Sequence, residues 1–325
     1  MTLSSAPRLA YIGGTPRGLR VLEALVELDL VPVCMWIMQE DGHEQRRASE
    51  DLAGRAEQLG VPYRLARRMG SDDPATLAAA QADLLLAVGW RTIIPREVYA
   101  TPRFGAVLIH DSLLPRYRGF APTNWAIING EREAGATLLH MADGVDQGDI
   151  IGQVRIPIGP RTTAPELYDD VIDATVDLVR THLTDVIRGC GPRRAQDESM
   201  ASYACARTPE DGRIDWGWRT DRIDRLVRGL TYPYPGAWTS HNGRRLFVWD
   251  AEPLDPAPCY EGRITGRVVR SAGGSIDVLT ADGVMRVHRA GYEPDEQRAA
   301  DDLVRSVRCR LGSDDAALAA SPDHP

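Results

Sequence analysis

The sequence predicts an α/β fold, with a doubly wound, mainly parallel sheet followed by a small β-rich domain of the open-barrel type. The chain begins with two strand-like apolar runs on either side of a stretch with helical periodicity. This β-α-β unit builds parallel sheets. Toward the other end, three short alternating runs are separated by glycine-containing turns, a pattern typical of a small barrel.

Length and composition indicate a folded protein of two domains. The chain has 325 residues, of which 43% are hydrophobic and 26% charged, so a packed core is expected rather than disorder. Periodicity is lost after residue 189. We therefore predict a first domain over residues 1–190, a linker over 191–202, a second domain over 203–310 and a mobile tail over 311–325.

Charge and cysteine usage exclude several classes of function. The formal net charge of -8 disfavours a nucleic-acid partner, which usually requires a basic surface. The five cysteines are scattered without a CxxC pair, so no metal site is expected. The sequence has no apolar stretch of membrane-spanning length and no secretory leader at its start. We therefore expect a cytoplasmic protein without a membrane partner.

The first β-α-β unit is well marked. Arg8 to Ile12 predicts a strand, and Leu30 to Met38 predicts a second one. Between them, Thr15 and Pro16 have the composition of a helix N-cap and first helical position. The turn GGTPRG matches neither the dinucleotide pattern G-x-G-x-x-G nor a phosphate-binding loop, which favours a plain tight turn.

Further elements follow from periodicity and punctuation. We predict a helix from a capping box at Thr163 and Glu166 to Gly189. Additional strands are predicted at Asp83–Gly89, Ala106–Ile109, Ile150–Ile158, 262–269, 275–280 and 284–289.

The stretch from Gly105 to Ile150 holds the candidate site. The apolar run Ala106–Ile109 delivers His110 at the carboxyl end of a strand, where ligands bind in open α/β sheets. A proline-rich loop, SLLPRYRGFAP, follows and could line a pocket. An acid, Asp146, lies in the later segment MADGVDQG. A lone histidine with a distant acid is more often structural, so the surrounding motifs decide the interpretation.

Those motifs run in the order HDSLLPRYRG, APTNW, NGE and MADGVDQG. In this order and spacing they resemble the N10-formyltetrahydrofolate-dependent formyltransferases, which include the methionyl-tRNA, glycinamide ribonucleotide and sugar N-formyltransferases. The signature covers residues 105–150, and weaker similarity extends from Arg8 to Trp249. Tyr203 to Trp249 resembles the carboxyl-terminal part of sugar and hydroxyornithine formyltransferases. The resemblance implies a Rossmann-like catalytic domain.

The resemblance also implies roles for the site residues. His110 would stabilise the oxyanion of a tetrahedral intermediate and take part in proton transfer. Asp146 would orient the imidazole, raise its basicity and relay a proton through water. Asp111 is expected to be a neighbouring acid rather than a second catalyst, and His140 to be structural.

The implied cosubstrate is N10-formyltetrahydrofolate, consumed stoichiometrically, with no metal. By resemblance, the segment from Leu86 to Ile94 would lie beside the pterin and contact it largely through its backbone. The SLLP turn would form the pocket floor, and the segment from Ala142 to Val145 would also contact the pterin through its backbone. The candidate residues are Leu86, Val88, Trp90, Ile93, Ser112, Leu113, Leu114, Pro115, Ala142, Asp143, Gly144 and Val145.

One position departs from the family pattern. The family usually has an asparagine two residues before its histidine, where this chain has Leu108. Leucine cannot donate a hydrogen bond to the formyl oxygen. We nevertheless expect an active enzyme, because the remaining motif residues are present.

The acceptor is expected to be the amine of a small molecule. A nucleotide-linked amino sugar ranks first, an N-hydroxyornithine siderophore precursor second and an aminoacyl-tRNA third. Two alternatives stay open: a folate-binding or sensing relative without catalysis, and an enzyme that transfers another one-carbon or acyl group. The sequence also leaves a homodimer open.

Overall fold

A computed structural model of the chain describes residues 6–40 and 47–313. These residues form two compact units, and neither is continuous in sequence. The first contains the described residues up to Pro122, together with Glu133–Pro157 and Tyr168–Ala206. The second contains Thr123–Arg132, Ile158–Leu167 and the described residues from Arg207 onward.

The elements of the first unit alternate between strands and helices. In chain order they are β1 (Leu9–Gly13), α1 (Thr15–Glu27), β2 (Cys34–Met38), α2 (Ser49–Leu59), β3 (Tyr63–Ala66), α3 (Asp73–Ala79), β4 (Leu84–Val88), α4 (Arg96–Tyr99), β5 (Ala106–His110), β6 (Arg118–Gly119), α5 (Pro122–Ile128), β7 (Glu133–His140), β8 (Ile150–Pro157), α6 (Ala164–Val186) and β9 (Tyr203–Ala204). Most of α5 and the first residues of α6 are grouped with the second unit.

The main sheet has seven strands in the order β3-β2-β1-β4-β5-β7-β8. The first five are parallel, and β7 and β8 are antiparallel additions at one side. β4 is central, since Leu86 pairs with Tyr11 of β1 and with Val107 of β5. The carboxyl ends of β1, β4 and β5 therefore meet at one edge, where ligands bind in such sheets.

The second unit is built on an antiparallel sheet. Its elements are α7 (Thr220–Leu230), β10 (Ala237–His241), β11 (Arg244–Pro253), β12 (Val268–Ala272), β13 (Ser275–Leu279), β14 (Val284–Gly291), β15 (Arg298–Ala299) and α8 (Ala300–Leu303). The strand order is β10-β11-β14-β13-β12, and β15 pairs with β14. Trp216, Leu226 and Val248 belong to its apolar core. The predicted fold class is confirmed.

Several predicted boundaries are corrected. The helix α1 has Gly14 rather than Thr15 at its N-cap. The strand predicted at 262–269 begins only at Val268, after Gly266 with φ 80° in the left-handed region. Leu311, assigned to the tail, is buried in the second core, and the tail from residue 314 lies outside the described residues.

The segment 191–202, predicted as a linker, lies within the first unit. Arg194 forms a β-bridge with Ile150, and Glu198–Met200 forms a short 3-10 helix.

Candidate functional site

His110 is the last residue of β5 and is almost completely buried, with 8% of its surface exposed. Its Nε2 atom lies 2.8 Å from the backbone oxygen of Tyr117, in the loop that follows β5. A carbonyl oxygen only accepts hydrogen bonds, so Nε2 carries the hydrogen in this contact. The Nδ1 atom of a neutral ring is then left with its lone pair.

Asp146 faces that lone pair. Its Oδ2 atom lies 3.5 Å from His110 Nδ1, which is longer than a normal hydrogen bond. The same oxygen accepts a 2.9 Å hydrogen bond from the backbone N–H of Gly119. Asp146 adopts φ 54°, a left-handed conformation that is uncommon for a residue other than glycine. Its carboxylate is therefore aimed at the histidine by an unusual backbone turn.

The pair is suited to take up one proton. A neutral imidazole and an ionised carboxylate both present acceptors to each other, and a proton on Nδ1 would give the ring a donor that faces Asp146. Such a site can remove a proton from a nucleophile and hold it as an imidazolium beside a carboxylate. The structure thus brings together the two residues predicted as catalytic.

Leu108 lies two residues before His110 in an apolar setting. Its side chain is partly buried and packs against the cluster of Leu114, Leu139 and Ile150. Leu108 also packs against a second apolar cluster, together with Trp90 and Tyr99. The side chain at residue 108 therefore contributes packing and no hydrogen-bond donor.

The SLLP turn is fixed by hydrogen bonds to β7 and β8. Ser112 Oγ donates to the carbonyl of Arg116 at 2.7 Å, and the Ser112 carbonyl accepts from Thr137 Oγ1 at 2.6 Å. Gln153 Nε2 donates to the Leu114 carbonyl at 2.9 Å. Ser112 and Leu114 are buried, whereas Leu113 and Pro115 are partly exposed. This turn is therefore a rigid wall following His110.

The segment from Ala142 to Val145 is an exposed loop leading to Asp146. Val145 is 44% exposed, Ala142 is exposed and Gly144 is partly exposed. Asp143 accepts hydrogen bonds from Arg96 at 2.6 Å and from the hydroxyl of Tyr99, both in α4. These contacts tie the loop to the segment that follows β4.

The four candidates around β4 fall in two groups. Leu86 and Val88 are buried within the sheet with no exposed side chain, so the structure does not bring them to the surface of the site. Ile93 is 72% exposed, and Trp90 is partly buried. The Trp90 Nε1 atom is buried and has no hydrogen-bond partner in the described part of the chain. A ligand acceptor could satisfy this N–H.

Asp111 is occupied by another partner. Its carboxylate pairs with Arg17 at the start of α1, and both side chains are largely buried.

The glycines of the first turn, which could suggest a nucleotide site, have a packing role. A Cβ on Gly14 would lie 2.5 Å from the oxygen of Gly89, so these turns touch through their backbones between β1 and β4. This contact requires glycine, so packing accounts for the residue without a nucleotide.

Two polar residues of this region carried no sequence signal as site residues. Arg118 is fully buried, and Gln196 contacts both Arg118 and the backbone of Asp146. The stretch around Gln196 lacks periodicity, so the sequence gave no reason to connect this residue with the site.

Among the described residues there is no His, Cys, Asp or Glu group able to hold a metal, and no helix long and apolar enough to span a bilayer. They also contain no disulfide bond.

Comparison with known proteins assigns both parts of the chain to one family. Residues 31–182 match the family model described as formyl transferase, and residues 207–308 match the model of the formyl transferase C-terminal domain. The chain is 35% identical to a methionyl-tRNA formyltransferase from Sorangium cellulosum, covering 93% of this chain and 98% of that protein.

Solved structures share the fold at lower identity. HypX from Aquifex aeolicus in complex with tetrahydrofolic acid gives a TM-score of 0.65 at 20% identity, covering 92% of this chain and 47% of HypX. The N-formyltransferase from Helicobacter canadensis, with folinic acid and dTDP-3-aminofucose, gives 0.66 at 17% identity, covering 88% of this chain and 100% of that one. With both domain models matched and a relative aligned along almost its whole length, the chain belongs to the formyl transferase family, whose enzymes use N10-formyltetrahydrofolate.

Proposed function

We propose that this enzyme transfers the formyl group of N10-formyltetrahydrofolate to the primary amine of methionyl-tRNA. The observation that carries the chemistry is the buried pair of His110 and Asp146 at the carboxyl edge of the sheet. The choice of acceptor rests on the relative named above, whose 35% identity extends over both domains. This reverses the ranking made from the sequence, in which an amino sugar stood first and tRNA third.

The reaction makes one C–N bond and breaks another. The acceptor amine attacks the formyl carbon, the carbon–N10 bond breaks, and one amine proton is transferred to N10, which yields the formamide and tetrahydrofolate. His110 Nδ1 would take the amine proton, directly or through water, while Asp146 stabilises the imidazolium. The positive charge of the protonated ring, and not a hydrogen bond from it, would then stabilise the oxyanion, and Nδ1 would return the proton to N10.

The residues present fit a folate. Trp90 Nε1 offers a buried N–H whose hydrogen bond is unmet in the described residues, and Ile93 and Val145 present exposed apolar surface. The loop from Ala142 to Val145 has backbone groups near Asp146. We propose that these groups bind the pterin together with the SLLP turn, and that Leu86 and Val88 serve only as core beneath it.

Leu108 sets the source of oxyanion stabilisation. Because Leu108 packs against Leu114, Leu139 and Ile150 and has no donor of its own, we propose that His110 acts with a backbone N–H or a bound water. An asparagine at residue 108 would therefore add a donor to a site that stabilises the oxyanion without one.

A small amine is the second candidate acceptor, and a charge observation favours it. Residues 207–313 contain 17 arginines and 16 aspartates and glutamates, so this part of the chain has almost no net charge. Proteins that bind tRNA gain much of their affinity from phosphate neutralisation by an excess of basic residues. A nucleotide-linked amino sugar or an N-hydroxyornithine would not require such an excess.

An acceptor panel with N10-formyltetrahydrofolate decides between the candidates. The panel contains methionyl-tRNA, a dTDP-linked amino sugar and N-hydroxyornithine, with the His110→Ala variant as the control for uncatalysed transfer. We expect the mass of one formyl group on methionyl-tRNA and slower transfer to the other amines. Transfer to a small amine alone would contradict the choice of tRNA. Folate binding without transfer to any amine would contradict catalysis and favour a binding or sensing relative.

A further inference from the structure

The loop that carries Asp146 is held in place by a hydrogen-bonded pair, the buried Arg118 and the partly buried Gln196, which we call the clamp. Gln196 Nε2 donates to the carbonyl oxygen of Asp146 at 2.7 Å and to that of Gly148 at 2.8 Å. Its Oε1 atom accepts from Arg118 Nη2 at 2.8 Å and from Arg118 Nε at 3.2 Å. Both ends of the amide are therefore used, and its orientation is fixed.

Arg118 also lies between the two contacts that define the catalytic pair. The preceding residue, Tyr117, offers the carbonyl that accepts from His110 Nε2, and the following residue, Gly119, donates to Asp146 Oδ2. Arg118 backbone pairs with Tyr203 in the short β6–β9 ladder, and its N–H donates to the Ser202 carbonyl at 2.9 Å. A shift of Arg118 would consequently displace both His110 and Asp146.

The guanidinium itself is anchored on its far side. Arg118 makes two hydrogen bonds to Glu198, at 2.6 and 2.8 Å, and one to the hydroxyl of Tyr203 at 3.2 Å. Its side chain is fully buried, whereas that of Glu198 is 64% exposed. A buried arginine with all donors directed at fixed acceptors is rigid, since any movement would leave donors unsatisfied.

The clamp acts where the backbone is strained. Asp146 has φ 54°, and such conformations persist only where the surroundings determine them strongly. Gln196 holds the carbonyl of this residue while Gly119 holds its carboxylate. From this arrangement we infer that Arg118 and Gln196 are positioning residues for formyl transfer, which act through Asp146 without touching a substrate. The inference rests on the proposed function for its kinetic test.

Gln196→Glu is the sharpest variant. The glutamate keeps acceptors for Arg118 but loses the two N–H donors to the backbone of Asp146 and Gly148. The hydrogen bonds of Arg118 are therefore retained, whereas those that hold the Asp146 loop are lost. We expect kcat to fall by about 10- to 100-fold, as for a displacement of about 1 Å, with both KM values within about threefold. Gln196→Met, which keeps the size but removes all these hydrogen bonds, should behave in the same way.

Gln58→Glu is the matched control. Gln58 lies on the exposed surface of α2 and also accepts from an arginine, Arg55, at 3.2 Å. The same chemical change there should leave kcat within about twofold of the wild type.

A double-mutant cycle with Asp146→Asn separates positioning from general support of the fold. If Gln196 acts through the Asp146 carboxylate, Gln196→Glu should cost less than about threefold in the Asp146→Asn background. An equal loss in both backgrounds, or native kcat for Gln196→Glu in an active enzyme, would overturn the inference.

A crystal structure of Gln196→Glu tests the clamp independently of turnover. We expect the hydrogen bond from Gly119 N to Asp146 Oδ2 to be lost. An unchanged Asp146 would overturn the clamp even if the proposed function were correct, and a displaced Asp146 would support it even if no amine were formylated.

Discussion

The two ends of the β5–β7 ladder each carry a buried histidine near an acid, yet only one end has the arrangement of a proton-transfer site. His110 ends β5, and Asp146 Oδ2 lies 3.5 Å from its Nδ1. His140 ends β7 opposite Val107, and its Nε2 atom contacts the carbonyl of Pro192 at 3.3 Å. Both rings are buried, and the Nε2 atom of each contacts a backbone carbonyl. Neither burial nor this contact therefore distinguishes the two histidines.

The two histidines differ in the partner that the neighbouring carboxylate has. Asp149, the acid near His140, is 3.6 Å from Arg193, and that arginine also opposes a positive charge on His140. Burial and Arg193 together lower the pKa of His140. The Asp146 carboxylate instead receives a backbone N–H from Gly119 and faces the ring. Of these two buried histidines near an acid, the one with the arrangement of a proton-transfer pair is therefore the one whose acid is not paired with an arginine.

The largest expected effect is on turnover. His110→Ala and Asp146→Asn should each lower kcat by at least about a hundredfold, because each removes a group that carries the proton. His140→Gln should leave kcat within about threefold, since this ring lies at the other end of the β5–β7 ladder from His110 and its Nε2 atom contacts the Pro192 carbonyl. Formyl transfer measured under saturating donor and acceptor checks both statements. Near-native turnover in the first two variants would remove this pair from the site.

A smaller effect is expected at Leu108. Removal of a hydrogen-bond donor that stabilises an oxyanion typically lowers the rate by about 10²–10³. Introduction of a donor at a position where the wild type has leucine should not raise the rate by the same factor. Leu108→Asn should therefore change kcat by less than about tenfold in either direction. Leu108→Ile, which keeps the side chain apolar, is the matched control for packing. An inactive wild type with an active asparagine variant would contradict this account.

The smallest effect is on stability, and it concerns His140. Its pKa is lowered in the folded protein, so the unfolded chain takes up a proton more readily, with a pKa of about 6.5. The stability contributed by neutral His140 is thus present above about pH 6.5 and is lost as pH falls through the lowered pKa. The free energy of unfolding of the wild type should exceed that of His140→Gln by a smaller margin at acidic pH than at neutral pH. Urea unfolding at several pH values measures this margin. A margin that does not change with pH would contradict the burial of a neutral ring.

Local sequence signals predicted the parts of the fold that depend on local physics. The β-α-β start and the strand delivering His110 follow from apolar periodicity. At the predicted capping box, the Glu166 carboxylate accepts the expected hydrogen bond from the Thr163 backbone N–H at 2.8 Å, and it also accepts from Thr163 Oγ1 at 2.8 Å. The hairpin between β10 and β11 was not predicted, although Asn242 and Gly243 at its turn, both with positive φ, form a dipeptide typical of such turns.

Features that depend on distant contacts could not be predicted in this way. Gln196 reaches the Asp146 loop across about fifty positions of sequence, and its own neighbourhood has no periodicity. The antiparallel pairing of β7 with β5 and the interleaving of the two units likewise depend on long-range packing. The resemblance implies that Leu86 and Val88 contact the pterin largely through their backbone, and this stays a prediction, since the structure shows only that their side chains are buried in a central strand.

The central claim is that His110 and Asp146 act as one unit in formyl transfer, and a double-mutant cycle tests it most directly. Single-turnover transfer from N10-formyltetrahydrofolate would be measured for the wild type, His110→Ala, Asp146→Asn and the double variant. When two residues handle the same proton, the rate losses caused by their substitutions do not multiply. We therefore expect the rate of the double variant to lie within about threefold of the rate of the slower single variant. Losses that multiply in the double variant would show that the two residues act independently and would contradict the account.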